Sequence, residues 1–219
     1  MAPRPNQAEP RPQPRLYLLT PQLADAAAFA APLKDTLAVA DVAAVLLRLQ
    51  EADERTLINH AKALAPAVQG AGAALLLDGH ADLVARAGAD GVHLTGLDDF
   101  DDALERLKPE RIVGLGGLAS RHECMVAAER GADYVLFGRP DADGRRPPFE
   151  AVEERLTWWA ELLELPCVAY ADNLDEIAPL VAAGADFVAL GDWLWRDESA
   201  IAATLQTASA HLQLPEAIA

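Results

Sequence analysis

The sequence predicts an α/β protein, a single-domain (β/α)8 TIM barrel, and three observations carry that prediction. The segments Gly88-Ala-Asp-Gly-Val-His-Leu94, Gly131-Ala-Asp-Tyr-Val-Leu-Phe-Gly138 and Gly184-Ala-Asp-Phe-Val-Ala-Leu-Gly191 repeat a helix-stopping glycine, a short turn and an apolar strand. Their steps of 43 and 53 residues leave room for one more strand and two helices between copies. The copies are therefore every second strand of an alternating parallel chain. Eight strand-like apolar runs complete the count, and 219 residues, 52% of them apolar, suffice for one barrel core.

The elements follow in order. Strands are expected at Leu16–Thr20, Val42–Arg48, Ala73–Leu77, Gly91–Leu94, Arg111–Gly114, Tyr134–Phe137, Pro166–Tyr170 and Phe187–Leu190. Helical periodicity is clearest over 54–68, 98–107, 120–130, 149–163, 174–183 and 199–212. A poorer helix around Asp25 to Ala31 joins the first two strands, and Pro32 is expected to end it. Residues 1–15 hold five prolines and no apolar periodicity, so they read as an extended, disordered tail before a barrel spanning 16–219.

Bulk properties narrow the function. A formal net charge of −16 repels nucleic acid and anionic membranes. No stretch has the length of a membrane span or the apolar core of a signal peptide, so a cytoplasmic location is expected. Cys124 and Cys167 lack the paired spacings of a zinc site or disulfide framework and read as buried, inert thiols. Trp158 and Trp159 are adjacent in one helix, so one of them must face away from the barrel. With Leu162 and Leu163 it marks a candidate homodimer patch.

Barrel polarity places chemistry at the strand ends. Those ends carry Thr20, Arg48, Gln50, Asp78, Thr95, Asp98, Gly116, Gly117, Arg139, Asp172, Gly191 and Asp192, with Trp193 and Trp195 flanking the same mouth as walls for a flat heterocycle. The charged, proline-rich segment 139–148 reads as a lid or substrate loop, or equally as a tolerated surface insertion. His93 alternates with Val92 and Leu94 and reads as a satisfied core histidine.

From about Leu16 to the last helix, and most strongly in the first two repeated segments, the chain resembles the thiamine phosphate synthases and the related thiazole tautomerases. The resemblance implies a barrel enzyme that ionises a hydroxymethylpyrimidine pyrophosphate and captures the carbocation with a thiazole phosphate. It further implies Mg2+ on the pyrophosphate, cations beside it and a backbone cup for the second phosphate. A Gln-x-Arg-x-Lys pattern on strand two is matched by Leu46, Arg48 and Gln50, so its central arginine remains; a salt bridge with a strand-end carboxylate is the alternative for Arg48. An Asn-Asp pair after strand three is matched by Asp78-Gly79, and a second metal-binding Asp by Asp98, which also sits where a helix N-cap belongs. Asp78 and Asp98 are thus the candidate metal ligands, and with His80 they would suit zinc or manganese better than magnesium.

The same resemblance puts Gly116 and Gly117 at a phosphate loop, Arg146 at a phosphate-binding Lys and Arg139 at the tautomerase histidine. A Gly-Gly pair becomes Ala171-Asp172-Asn173 and a Ser becomes Gly191-Asp192, which sets two carboxylates where a phosphate cup belongs unless both cap helices. Arg48, Asp98 and Arg146 are the candidate catalytic charges. Gln50, Asp78, Gly116, Gly117, Arg139, Asp172, Gly191 and Trp193 are the candidate substrate contacts. The alternative reading is a non-catalytic paralogue that holds a thiamine-like or other cationic heterocycle in this acidic mouth.

Overall fold

Each glycine of the repeat stops a helix: Gly88, Gly131 and Gly184 all take the left-handed conformation just past a helix end, at φ of 71°, 100° and 113°. The chain then enters a strand three residues later, and this device repeats around a closed ring. In the computed structural model, which describes residues 11–213, eight parallel strands close a barrel in sequential order. They are β1 (Arg15–Leu19), β2 (Val42–Leu47), β3 (Ala74–Asp78), β4 (Gly91–Thr95), β5 (Ile112–Gly116), β6 (Tyr134–Phe137), β7 (Cys167–Ala171) and β8 (Phe187–Leu190). β1 closes on β8 through Leu16 opposite Val188 and Leu18 opposite Leu190.

The outer ring comprises α1 (Ala26–Leu37), α2 (Glu54–Gly70), α3 (Val84–Ala87), α4 (Phe100–Leu107), α5 (Arg121–Arg130), α6 (Phe149–Leu162), α7 (Ile177–Ala183) and α8 (Ile201–His211). Two cores result from the two-residue strand period. Leu16, Leu18, Val45 and Leu75 face the helices, whereas Tyr17, Leu19, Leu46, Leu76, Tyr134, Val168 and Tyr170 fill the barrel interior. Gly114 matters here, because a Cβ on it would lie 2.0 Å from the Tyr134 ring. Its missing side chain is the space that ring occupies.

Three expectations change. Pro32 does not end α1, which continues to Leu37 because Leu33 and Leu37 bury against the barrel. Arg15 belongs to β1, and just before it Arg11 pairs with Asp186 at 3.0 Å, so the described part of the expected tail lies against the barrel's lower rim. Residues 1–10 lie outside the described residues. Of the candidate dimer patch, Trp159 is fully buried, and Trp158 is half-buried beneath the Arg121 guanidinium at 4.9 Å. Leu162 alone of the four is strongly exposed. Both cysteines are free and buried, and burial pushes the Cys167 thiol up to about 12. No helix among the described residues is long and apolar enough to cross a membrane.

Candidate functional site

The strand ends of β2, β3, β4, β7 and β8 surround a cavity of about 790 Å³, roofed by the segment after β6. Its lining includes Arg48, Asp78, His93, Thr95, Gly117, Arg139, Tyr170 and Asp192, with Asp141, Ala142 and Gly144 contributed by the roof. The strand-end prediction thus brings Arg48, Asp78, Gly117, Arg139 and Asp192 together. Arg48 stands just past β2, where Thr20 fixes its backbone by accepting a hydrogen bond from its N–H at 3.0 Å.

Charges alternate across the mouth. Arg48 Nη1 donates to Asp192 Oδ1 at 2.7 Å, and its Nε lies 4.0 Å from Asp78 Oδ2. Arg139 grips both oxygens of Asp78, at 2.9 Å to Oδ1 and 2.5 Å to Oδ2. The salt-bridge alternative for Arg48 therefore holds in this structure. Burial pushes the Asp78 carboxyl up, but the hydrogen bonds and charge of Arg139, helped by Arg48, hold it below the ordinary carboxylate value. Burial and the nearby charges of Asp172 and Asp192 push the Tyr170 phenol up to about 12.

The floor is formed by His93. It is 1% exposed, and burial pulls its pKa down to about 4, so the ring is neutral near neutral pH. Nδ1 lies 3.0 Å from the Tyr134 hydroxyl, which lies 2.9 Å from that of Tyr17. Nε2 is the one buried side-chain nitrogen or oxygen without a partner among the described residues. The expected core histidine is therefore only half satisfied.

Other candidates lie outside the cavity. Arg146 is held behind it: its guanidinium pairs with both Glu176 oxygens at 2.8 Å and donates to the Gly138 and Tyr170 carbonyls at 3.0 Å. It fixes the root of the roof segment rather than offering a free charge. Asp98 and Gln50 are exposed and do not line the cavity. Asp99, not Asp98, occupies the cap position of α4. Asp172 is exposed as well, and the cap of the following turn is Asn173, whose side chain accepts from the N–H groups of Asp175 and Glu176. Asp192 caps nothing and faces Arg48.

Trp193 and Trp195 do not wall the mouth. Their indole N–H groups donate to the carbonyls of Ala171 at 2.7 Å and Leu19 at 2.6 Å, locking the turn after β8 onto the barrel rim. Gly191 is buried under Tyr170, whose hydroxyl would lie 2.6 Å from a Cβ there. Gly116 is buried beside His93. Sequence reasoning missed Tyr170 and the roof residue Asp141. The inward alternation of Val168 and Tyr170 on β7 was the available signal for the tyrosine.

The side chains do not assemble a magnesium site. Both Asp78 oxygens are taken by Arg139, Gly79 supplies no ligand, and Asp98 stands outside the cavity. Among the described residues no group of three His, Cys, Asp or Glu side chains comes together for a metal, which removes the Asp78, His80 and Asp98 cluster as well.

A model of the thiamine monophosphate synthase family matches residues 16–193. The chain belongs to that family. It is 42% identical to the thiamine-phosphate synthase of Rhodospirillum centenum over 195 residues, which cover 87% of this chain and 94% of that one. It is 40% identical to the thiamine-phosphate synthase of Hyphomonas neptunium over 215 residues, covering 93% and 96%. Among solved structures, the thiamine phosphate pyrophosphorylase of Pyrococcus furiosus superimposes with a TM-score of 0.74 at 22% identity, over 92% of this chain and 98% of that one. The synthase family thus supplies the barrel, and the cavity lies at the strand-end face where barrel enzymes work.

Proposed function

We propose that this family member is a thiamine-phosphate synthase. It joins a hydroxymethylpyrimidine pyrophosphate to a thiazole phosphate: the C–O bond to pyrophosphate breaks, the pyrimidine carbocation forms, and the thiazole nitrogen captures it in a new C–N bond. The observation that carries this reading is near-full-length identity of 40–42% to thiamine-phosphate synthases. The cavity adds room for two small ligands and two guanidiniums, Arg48 and Arg139, beside the place where charge departs. Gly117 and Thr95 bring backbone close to a bound phosphate. A cytoplasmic location suits small, highly charged substrates of this kind.

In this reading Arg139 exchanges Asp78 for the leaving pyrophosphate, and Arg48 exchanges Asp192. No step runs through a metal, because the donor set does not fit one. The three carboxylates at the mouth oppose anion binding, so turnover is expected to be slow. The test is an assay with both substrates, with and without Mg2+. Thiamine phosphate is the expected product, and none at high enzyme concentration would overturn the reading. Arg48→Ala should lower kcat/KM by about a hundredfold.

A further inference from the structure

Two phosphate-bearing substrates would have to share a mouth that holds cations for one. Among the described residues lining the cavity, the cationic side chains are Arg48 and Arg139, set against the carboxylates of Asp78, Asp141 and Asp192. Arg145 and Arg146 add no free charge, because the first pairs with Asp141 and Asp143 and the second with Glu176. Once a pyrophosphate has taken Arg48 and Arg139, a second phosphate has no guanidinium left to meet.

Barrels commonly hold a phosphate with the N–H groups that open the turns after their seventh and eighth strands. Here the turn after β7 is filled from within. The Asp172 N–H donates to Glu176 Oε2 at 2.9 Å, and those of Asp175 and Glu176 donate to the Asn173 side chain at 2.9 and 3.3 Å. Neither Asp172 nor Asn173 lines the cavity; the β7–β8 end presents Tyr170 and Asp192 instead. Tyr170 is 5% exposed, its ring lies against Gly191, and its hydroxyl makes no hydrogen bond among the described residues. Burial and the charges of Asp172 and Asp192 keep that phenol a neutral donor. Asp192 gives Oδ1 to Arg48, while its Oδ2 accepts nothing among the described residues. A neutral phenol and a carboxylate at one end of a cavity suit an alcohol, whose oxygen accepts from the first and whose O–H donates to the second. A phosphate in the same place meets like charge.

We propose that Tyr170 and Asp192 select an unphosphorylated second substrate, so that the site couples the pyrimidine pyrophosphate to the thiazole alcohol in preference to the thiazole phosphate. This rests on the coupling reaction given above and changes only which thiazole is favoured. The C–O bond breaks with its electron pair leaving on pyrophosphate, the thiazole nitrogen forms the C–N bond with its lone pair, and the alcohol keeps its proton; the product is thiamine. Asp192, released when pyrophosphate takes Arg48, receives that O–H. Both residues determine specificity and neither carries the chemistry.

The test is competition: the full-length protein, the pyrimidine pyrophosphate and Mg2+, with the thiazole alcohol and its phosphate at equal concentration. Thiamine should exceed thiamine phosphate by at least about tenfold. Equal amounts, or an excess of thiamine phosphate, overturn the proposal. Asp192→Asn should cut the ratio by about tenfold, and an unchanged ratio overturns the role of Asp192. Tyr170→Phe, its fold checked by circular dichroism, should weaken binding of the alcohol by about fivefold and leave that of the phosphate unchanged; equal losses overturn the role of the phenol. Calorimetry with inorganic pyrophosphate present needs no turnover. The thiazole alcohol should bind more tightly than the thiazole phosphate, and the reverse order, or no binding of the alcohol, overturns the proposal. A protein that couples neither thiazole but keeps this order of affinities would refute the synthase function and leave the selection standing.

Discussion

Asp90, Asp133 and Asp186 fill the third position of the repeat, and each ties two neighbouring strands together at the lower rim. Their carboxylates accept from the N–H groups of Leu75, Val113 and Cys167 at 2.8, 2.7 and 2.8 Å, while their own N–H groups donate to the carbonyls of the same three residues. The sequence announces the motif, but not this role, because each partner lies 15 to 20 residues earlier. Asp133→Ala should strand the Val113 N–H and free Lys108, costing about 1–3 kcal/mol in chemical denaturation with KM unchanged. His93 makes the opposite contribution as pH falls. Its folded pKa of about 4 lies below the ordinary 6.5, so between those values the unfolded chain takes up a proton that the folded ring refuses. Stability attributable to the neutral ring is present above about pH 6.5 and falls by up to about 3 kcal/mol by pH 4. Denaturation curves at the two ends should show a smaller drop for His93→Gln; equal drops would refute this origin.

At the scale of elements, period and punctuation located all eight strands to within a residue or two, because the buried faces dictate them. The failures occurred where tertiary contacts override a local rule. Pro32 forfeits one helical hydrogen bond, yet burial of α1 against the barrel carries the helix past it. At the mouth, Arg48, Asp78 and Arg139 were legible because strand ends face the cavity. Gln50, Asp98 and Asp172 stand on connecting segments, where no period fixes a side chain's direction. The roof segment is likewise set by contacts no local pattern reveals. Asp141 accepts from the N–H groups of Asp143 and Arg145, making a self-supporting turn, and Arg146 anchors the turn's end to Glu176, with both side chains 15% exposed. Arg146→Ala leaves that carboxylate without its counter-charge, holding only the Asp172 N–H, and takes a donor from each of two carbonyls. We expect a loss of about 3 kcal/mol, faster proteolysis within 139–148 and a raised KM. Arg146→Lys should restore little of it, since an ammonium cannot reproduce the two-pronged pairing.

For the whole molecule, the scaffold and the mouth pull in different directions. The chain carries a net charge of −16, and the cavity itself sets Arg48 and Arg139 against Asp78, Asp141 and Asp192 while His93 stays neutral. A pyrophosphate substrate therefore approaches through a repulsive field and must displace two carboxylates from the guanidiniums that receive it. The repulsive approach is long-range and screened by salt; the displacement occurs within contact distance and is screened much less. Raising ionic strength from about 0.01 M to about 0.15 M shortens the Debye length from about 30 Å to about 8 Å. KM for the pyrimidine pyrophosphate should accordingly fall over that range, opposite to the rise expected of a cationic mouth. The uncharged hydroxymethylpyrimidine provides the control, because its affinity should not change. Asp192→Asn separates the two contributions: by releasing Arg48 it should lower KM at every salt concentration, and the remaining salt dependence should persist, since the molecule's overall charge barely changes. A KM that rises with salt in the parent protein would mean that the guanidiniums, not the surrounding carboxylates, govern how the substrate arrives.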